Sequence, residues 1–158
     1  MKKQFKELKK FLDENNVKYF ISEHEPVYTS EQAAKVRGVE LKTGVKALIF
    51  KVLAEKPYFI HVLIPGDKRA DINKIKNIVG HKTKLASSYE VLRVCGCEIG
   101  SVHPFGNLFN LGTYMDKKNL ENEFVNFNAG LHTISIRMSS KDMKKLINPV
   151  VGDFCIDS

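Results

Sequence analysis

Apolar residues recur at two spacings along the chain, and these predict helices and strands in an irregular order. Helical spacing predicts a first helix over residues 3–15, through Phe5, Leu8, Phe11 and Leu12. Capping residues then predict the starts of four short helices, at Thr29, Asp71, Ser87 and Ser139. The first of these runs over Ser30–Arg37 and is stopped by Gly38.

Predicted strands lie between these helices. Val45–Leu53 is apolar on both faces, as in a central strand, and Tyr58–Ile64 returns beside it after the turn at Lys56-Pro57. Shorter strands are predicted at residues 17–21, 113–115, 123–127 and 132–138. The apolar tail 150–156 is expected to pack on the body. This order, with its hairpin-like steps, predicts an α+β fold with a mixed sheet, as a single domain over residues 1–158.

The composition fits a folded globular protein. Of the 158 residues, 43% are hydrophobic and 27% are charged, so wholesale disorder is not expected. There is no apolar run of about 18 residues and no apolar stretch after the charged start, so we expect neither a membrane span nor a signal peptide. Three cysteines cannot all pair internally, which favours a reducing cytoplasm, and Cys95-x-Cys97 lacks the second pair that a zinc site needs.

The net charge of +7 bears on the choice of partner. Excess Lys and Arg attract phosphates, so nucleic acid is one predicted partner. Lysines scattered over amphipathic helices also form ordinary solvated surface. Charge alone therefore leaves both interpretations open.

Lys46 places an ammonium group in the otherwise apolar segment Val45–Phe50. In a strand it shares a face with Leu48 and Phe50, so its stem would lie against the core. The ammonium either reaches solvent at the strand start or serves as a fixed cation for a phosphate or carbonyl oxygen. Lys51, on the opposite face of the same strand, shows that a lysine here is not diagnostic by itself.

A glycine-bracketed loop, Gly100–Gly106, is the second candidate element. Its glycines permit tight turns, and they could also turn backbone N–H groups toward a substrate carbonyl. The loop lacks the lysine of a phosphate-binding P-loop, and the chain has neither a serine-hydrolase elbow nor a His-Glu-x-x-His metal motif. With Lys46, it predicts a site for an anionic or carbonyl-bearing substrate that uses no protein nucleophile.

Several short motifs follow one another over roughly residues 15–155. They are His24-x-Pro26, Thr29-x-x-Gln32-Ala33-Ala34, Lys46, Pro65-Gly66-Asp67-Lys68-Arg69, Gly100-Ser101-Val102-x-Pro104-Phe105-Gly106 and Asn128-Ala129-Gly130. The ordered set resembles the YbaK/ProX family, that of the bacterial prolyl-tRNA synthetase editing domain and its free-standing relatives. The resemblance implies a mixed sheet, partly closed like a barrel, with helices packed around it.

The resemblance also implies an activity, trans-editing, which is hydrolysis of the ester joining a wrong amino acid to a tRNA without metal or cofactor. The implied partners are the acceptor end of a tRNA, usually that for proline, and prolyl-tRNA synthetase; neither DNA nor a membrane is expected. Lys46 and Gly100 match the family's catalytic lysine and first loop glycine. Substrate contacts are expected from other motif and pocket positions, namely His24, Thr29, Ser101, Pro104, Gly106, Asn128, Gly130 and His132.

Two departures from the family pattern bear on specificity. Many relatives have Thr directly after the lysine, where this chain has Ala47, and some have Gly-Gly where it has Gly100-Ser101. The loop is more similar to that of alanine-editing relatives than to that of cysteine-editing ones, so alanine is the expected amino acid. Two other functions stay open here: a non-catalytic module of this fold that binds tRNA or a synthetase, and a small-metabolite binder.

Overall fold

Residues 2–157 are described by a computed structural model. The helices are α1 (Lys2–Glu14), α2 (Ser30–Arg37), α3 (Ile72–Val79), α4 (Ser88–Cys95) and α5 (Ser140–Ile147). The strands are β1 (Tyr19–Glu23), β2 (Val45–Val52), β3 (Tyr58–Pro65), β4 (Thr83–Leu85), β5 (Gly112–Asp116), β6 (Phe124–Asn128), β7 (Ile134–Ser139) and β8 (Val150–Gly152). The predicted α+β fold class is confirmed.

The helix ends follow the capping residues in the sequence. Thr29 Oγ1 accepts a hydrogen bond from Gln32 N at the start of α2, and Gly38 ends this helix in the left-handed conformation, with φ 69°. Asp71 caps α3 in the same way, and Ser87 begins α4 with a complete capping box. Each predicted helix is confirmed, because its boundaries depend on residues within one turn.

The strands form two sheets. Sheet A is antiparallel, in the order β1-β7-β6. Sheet B is mixed, in the order β4-β2-β3-β5-β8: β2 pairs antiparallel with β3 and β4, whereas β5 pairs parallel with β3 and β8. An isolated bridge between Gly44 and Asn126 joins the sheets beside the start of β2. Within residues 2–157 the strands do not close into a barrel.

Two edge strands were not predicted. β4 and β8 have three residues each, too short for a hydrophobic alternation to show. Pairing with inner strands creates both, and the tail after β8 buries Phe154 and Cys155 as expected. The predicted strand at residues 17–21 begins two residues later, at Tyr19.

Three apolar clusters hold the elements together, and one of them shapes the site. The first joins both sheets to α1 and α5, and the second covers sheet B beneath α3. The third packs Ile49 of β2 against Val91 of α4 and Val102 of the glycine loop, which brings this loop beside β2. No helix of the described residues is long and apolar enough to cross a membrane.

Candidate active site

A cleft of about 340 Å³ opens beside the first half of β2. Its walls come from α2 and the segment that joins it to β2, from β2 itself, from the start of α4 and from the residues around Gly100. The inner wall is apolar, through Ala47, Ile49, Ala86, Val91 and Val102. A pocket of this size with an apolar wall and a few polar groups is typical of a small-ligand site.

Lys46 and Gly100 both line this cleft, as the sequence predicts. The half-buried Lys46 donates from Nζ to the backbone oxygen of Lys68 at 2.7 Å, which leaves two ammonium protons for a ligand. Burial lowers the pKa of Lys46, whereas the charges of Glu31 and Asp67 act in the opposite direction. The side chain is thus a tethered cation at the cleft wall.

Gly100 has φ +87°, a backbone conformation that residues with a side chain rarely adopt. Its carbonyl accepts a hydrogen bond from Asn128 Nδ2 at 2.8 Å. Among the described residues, none accepts a hydrogen bond from the Gly100 N–H. Gly100 therefore brings to the cleft lining a backbone donor without a partner among residues 2–157, and Asn128 holds the peptide that follows it.

Two of the predicted substrate-binding residues, Thr29 and Asn128, also line the cleft. The Thr29 hydroxyl oxygen accepts from Gln32 N at 3.1 Å, so its proton is free to donate. Thr29 begins α2, so the positive end of this helix lies at the same wall.

The other six predicted residues lie outside the cleft lining. Ser101 and Gly130 are buried and join the loop to the turn after β6, since Gly130 N donates to the Ser101 oxygen at 3.0 Å. His132 lies behind Gly100, with Nδ1 3.0 Å from the Val27 oxygen and Nε2 3.3 Å from Glu98 Oε2. Substrate contact by these residues stays a prediction.

Pro104 and Gly106 are buried at the far end of the loop, where Gly106 packs against His61 and Thr113. His24 lies next to β7, with Nε2 2.7 Å from Ser135 Oγ. None of these three residues lines the cleft, and their contact with substrate also stays a prediction.

Sequence reasoning missed Arg37, the last residue of α2, which lines the cleft. Nε donates to Ser135 Oγ at 2.8 Å, and Nη2 donates to Asn128 Oδ1 at 3.0 Å. Burial lowers the pKa of Arg37 to about 10. An arginine in the last turn of a helix usually extends into solvent near the negative helix end, so the sequence carries no signal for this placement.

The cleft beside the mixed sheet thus brings together Lys46, Arg37 and the loop residue Gly100. Residues 24–146 match the sequence profile of the aminoacyl-tRNA editing domain. The chain belongs to the aminoacyl-tRNA editing domain family, a class of enzymes that hydrolyse aminoacyl-tRNA esters. The predicted resemblance is confirmed.

Named relatives agree with this assignment. The chain is 27% identical over 146 residues to the multifunctional Ser/Thr-tRNA deacylase ProXp-y of Escherichia coli strain K12, covering 90% of this chain and 87% of the relative. It is 24% identical over 141 residues to the prolyl-tRNA editing protein ProX of Acetoanaerobium sticklandii, covering 86% and 85%. A solved structure of a candidate trans-editing enzyme for prolyl-tRNA synthetase superposes with a TM-score of 0.85, at 26% identity over 98% of both chains.

Proposed function

We propose that this protein is a trans-editing deacylase that hydrolyses a small amino acid, alanine first, from tRNA for proline in the cytoplasm. One observation carries the proposal: Lys46 lines the same cleft as Gly100, whose N–H has no hydrogen-bond partner among residues 2–157. The acceptor end of the tRNA would enter this cleft. The net charge of +7 would hold the tRNA through its phosphates, largely without reading sequence.

The chemistry needs no protein nucleophile. A water oxygen bonds to the ester carbonyl carbon, and the bond from that carbon to the ribose oxygen breaks. The ribose oxygen takes up a proton that the water releases, which leaves a free amino acid and a free ribose hydroxyl. Negative charge develops on the carbonyl oxygen in between, where the Lys46 ammonium and the Gly100 N–H stabilise it.

The apolar inner wall supports a small side chain. Ala47, Ala86 and Val102 offer a methyl group contact but no hydroxyl partner. A hydrophobic pocket discriminates against an added hydroxyl by only about 100-fold, so seryl and threonyl esters should react more slowly rather than be excluded. This fits the Ser/Thr activity in the name of the Escherichia coli relative.

Prolyl-tRNA synthetase is the second proposed partner. The proposal rests on the solved relative described as a candidate trans-editing enzyme for that synthetase. An editing protein that meets the tRNA as it leaves the synthetase would act before the mischarged tRNA is used.

The test is a panel of alanyl, seryl, threonyl and cysteinyl esters of tRNA for proline, with prolyl-tRNA as the correct product. We expect alanyl-tRNA to be hydrolysed fastest and Lys46→Ala to lower kcat/KM by about 10²–10³-fold, as for loss of an oxyanion donor. Lys51→Ala is the matched control, because Lys51 lies in the same strand but pairs with Glu90 at 3.2 Å. Binding of tRNA with no ester hydrolysed faster than in buffer would instead identify a non-catalytic module.

A further inference from the structure

Arg37 is a half-buried cation without an anionic partner. Its guanidinium contacts a serine hydroxyl and an asparagine amide oxygen, and no carboxylate of residues 2–157 forms an ion pair with it. A cation that is withdrawn from water and left unpaired is costly. Such a group is expected to receive an anion in the working complex.

The guanidinium has donors to spare. Of its five N–H donors, Ser135 and Asn128 use one each, and Nη1 makes no hydrogen bond to any described residue. Nη1 lies beside Gly44, where an added Cβ would be 3.7 Å from it. The free side of the guanidinium thus lies at the start of β2, on the cleft wall that also carries Lys46.

A chain of hydrogen bonds fixes the orientation of Arg37. The geometry fits a His24 ring that donates from Nδ1 to the Glu25 oxygen at 2.8 Å and accepts from the Ser135 hydroxyl at 2.7 Å. The Ser135 oxygen is then free to accept from Arg37 Nε. On the other side, Asn128 accepts from Arg37 and donates to the Gly100 oxygen, which couples the guanidinium to the loop.

We propose that Arg37 binds the phosphodiester group immediately 5′ of the terminal adenosine of the tRNA. This inference rests on the proposed function. The ester consumes the carboxylate of the amino acid, so the backbone phosphate is the nearest anion to the reacting group. A guanidinium fork can donate two parallel hydrogen bonds to two oxygens of one phosphate, whereas a lysine ammonium acts as a single point charge.

The spacing along β2 agrees with this assignment. Gly44, beside Arg37, and Lys46 are two residues apart, which is about 7 Å in a strand. This backbone spacing is comparable to the length of one nucleotide, as the assignment requires if Lys46 contacts the ester while Arg37 binds the phosphate. Arg37 is therefore a substrate-binding residue that sets the position of the ester relative to Gly100.

The test uses two short substrates that differ only in that phosphate: 3′-alanyl adenosine and the alanylated dinucleotide CpA. We expect the wild type to prefer the dinucleotide, and Arg37→Gln to lower kcat/KM on it by about tenfold or more. On the nucleoside, which has no phosphate, Arg37→Gln should lower kcat/KM by at least about fivefold less than on the dinucleotide, because only the coupling through Asn128 is lost there. Arg37→Lys should recover only part of the loss, because it restores the charge without the fork.

Arg137→Gln is the matched control, because it removes the same charge from sheet A at a side chain that stacks on Phe124. A second measurement uses alanyl-tRNA as the substrate and adenosine 5′-monophosphate or adenosine as the inhibitor. Arg37→Gln should weaken inhibition by the monophosphate alone. Equal losses on both short substrates, or unchanged inhibition by the monophosphate, would overturn the assignment and leave Arg37 a structural residue. A wild type inactive on alanyl-tRNA and on both short substrates would refute the proposed function instead.

Discussion

The two ends of the glycine loop have the same residue type and opposite surroundings. Gly100 is exposed at the cleft, and its N–H has no partner among the described residues. Gly106 is buried, and a Cβ there would collide with Thr113 Oγ1 and lie 2.8 Å from His61 Nδ1. One glycine lines the cleft with an N–H that has no partner in the described residues, whereas the other makes room for two polar side chains in the core.

The polar side chains at the two ends of the loop differ in their exposure to solvent. At the cleft, Lys46 and Arg37 are only partly withdrawn from water and line the space that a ligand would fill. At the buried end, both ring nitrogens of His61 and the hydroxyl of Thr113 have no hydrogen-bond partner in the described chain. His103 stacks on Phe109 with ring centroids 4.6 Å apart, and burial lowers the pKa of both histidines to about 3. Only the cleft end is built for charge.

The sharpest test of this contrast is Gly100→Ala. The positive φ costs about 1–2 kcal/mol of stability in a residue with a Cβ, and the displaced N–H should lower deacylation by about 100-fold. Gly80→Ala is the control, because Gly80 also has φ +87°, ends α3 and has open space around it. Urea unfolding and single-turnover hydrolysis should show the same stability loss in both variants and an activity loss in one. Equal deacylation rates in the two variants would show that Gly100 does not take part in the reaction.

At the buried end, Gly106→Ala should act on stability. The new methyl group overpacks the space beside His61 and Thr113, which costs about 1–3 kcal/mol. The fraction that stays folded should keep its rate of deacylation. Gly112→Ala, where a Cβ meets nothing within 4 Å, provides the comparison. The denaturation midpoints of the two variants separate the effect of steric crowding from that of replacing a glycine. Identical midpoints would contradict the explanation that the new methyl group overpacks the space beside His61 and Thr113.

The buried histidines predict a pH dependence of folding. Above about pH 6.5 they are neutral in both states, so stability does not change with pH through them. Below that pH the unfolded chain takes up protons that the folded chain excludes down to about pH 3. The free energy of unfolding therefore decreases as the pH is lowered. The slope is about 1.4 kcal/mol per pH unit for each histidine. Urea unfolding from pH 7.5 to 4.5 should show a shallower slope for His61→Leu and an unchanged one for His81→Gln at the surface.

The smallest effect is expected from Thr113→Val. This change keeps the shape of a buried side chain and removes a hydroxyl without a partner, so stability should rise by about 1 kcal/mol. Thermal unfolding at pH 7 measures it. A lower midpoint would show that the Thr113 hydroxyl forms a hydrogen bond in solution. The buried end of the loop would then have more hydrogen bonds than its geometry indicates.

Local structure was largely readable from the sequence. The ends of α2, α3 and α4 follow capping residues, and the β2–β3 hairpin follows two apolar segments around a turn. The short strands β4 and β8 were not readable, because three residues show no alternation until a partner strand defines them. The same holds for the division of the strands into two sheets.

The site divides in the same way. Lys46 was a candidate because an ammonium in an apolar strand is anomalous in the sequence itself, and Gly100 because its loop is bracketed by glycines. That Lys46 and Gly100 line one cleft was an expectation that only the tertiary structure could test. The exclusion of Gly106 from that cleft was not foreseeable, because a glycine for close packing and a glycine for substrate approach look identical in a sequence.

The chain itself determined every feature that depends on neighbours a few residues away: the helix caps, the hairpin, the anomalous lysine and the ordered family motifs. Tertiary structure alone decided the features that depend on distant partners. Arg37 is the clearest case, since it faces the cleft through a hydrogen bond to Ser135, 98 residues further along the chain. Hydrogen bonding and burial depend on distance in space, and spacing along the chain does not specify it.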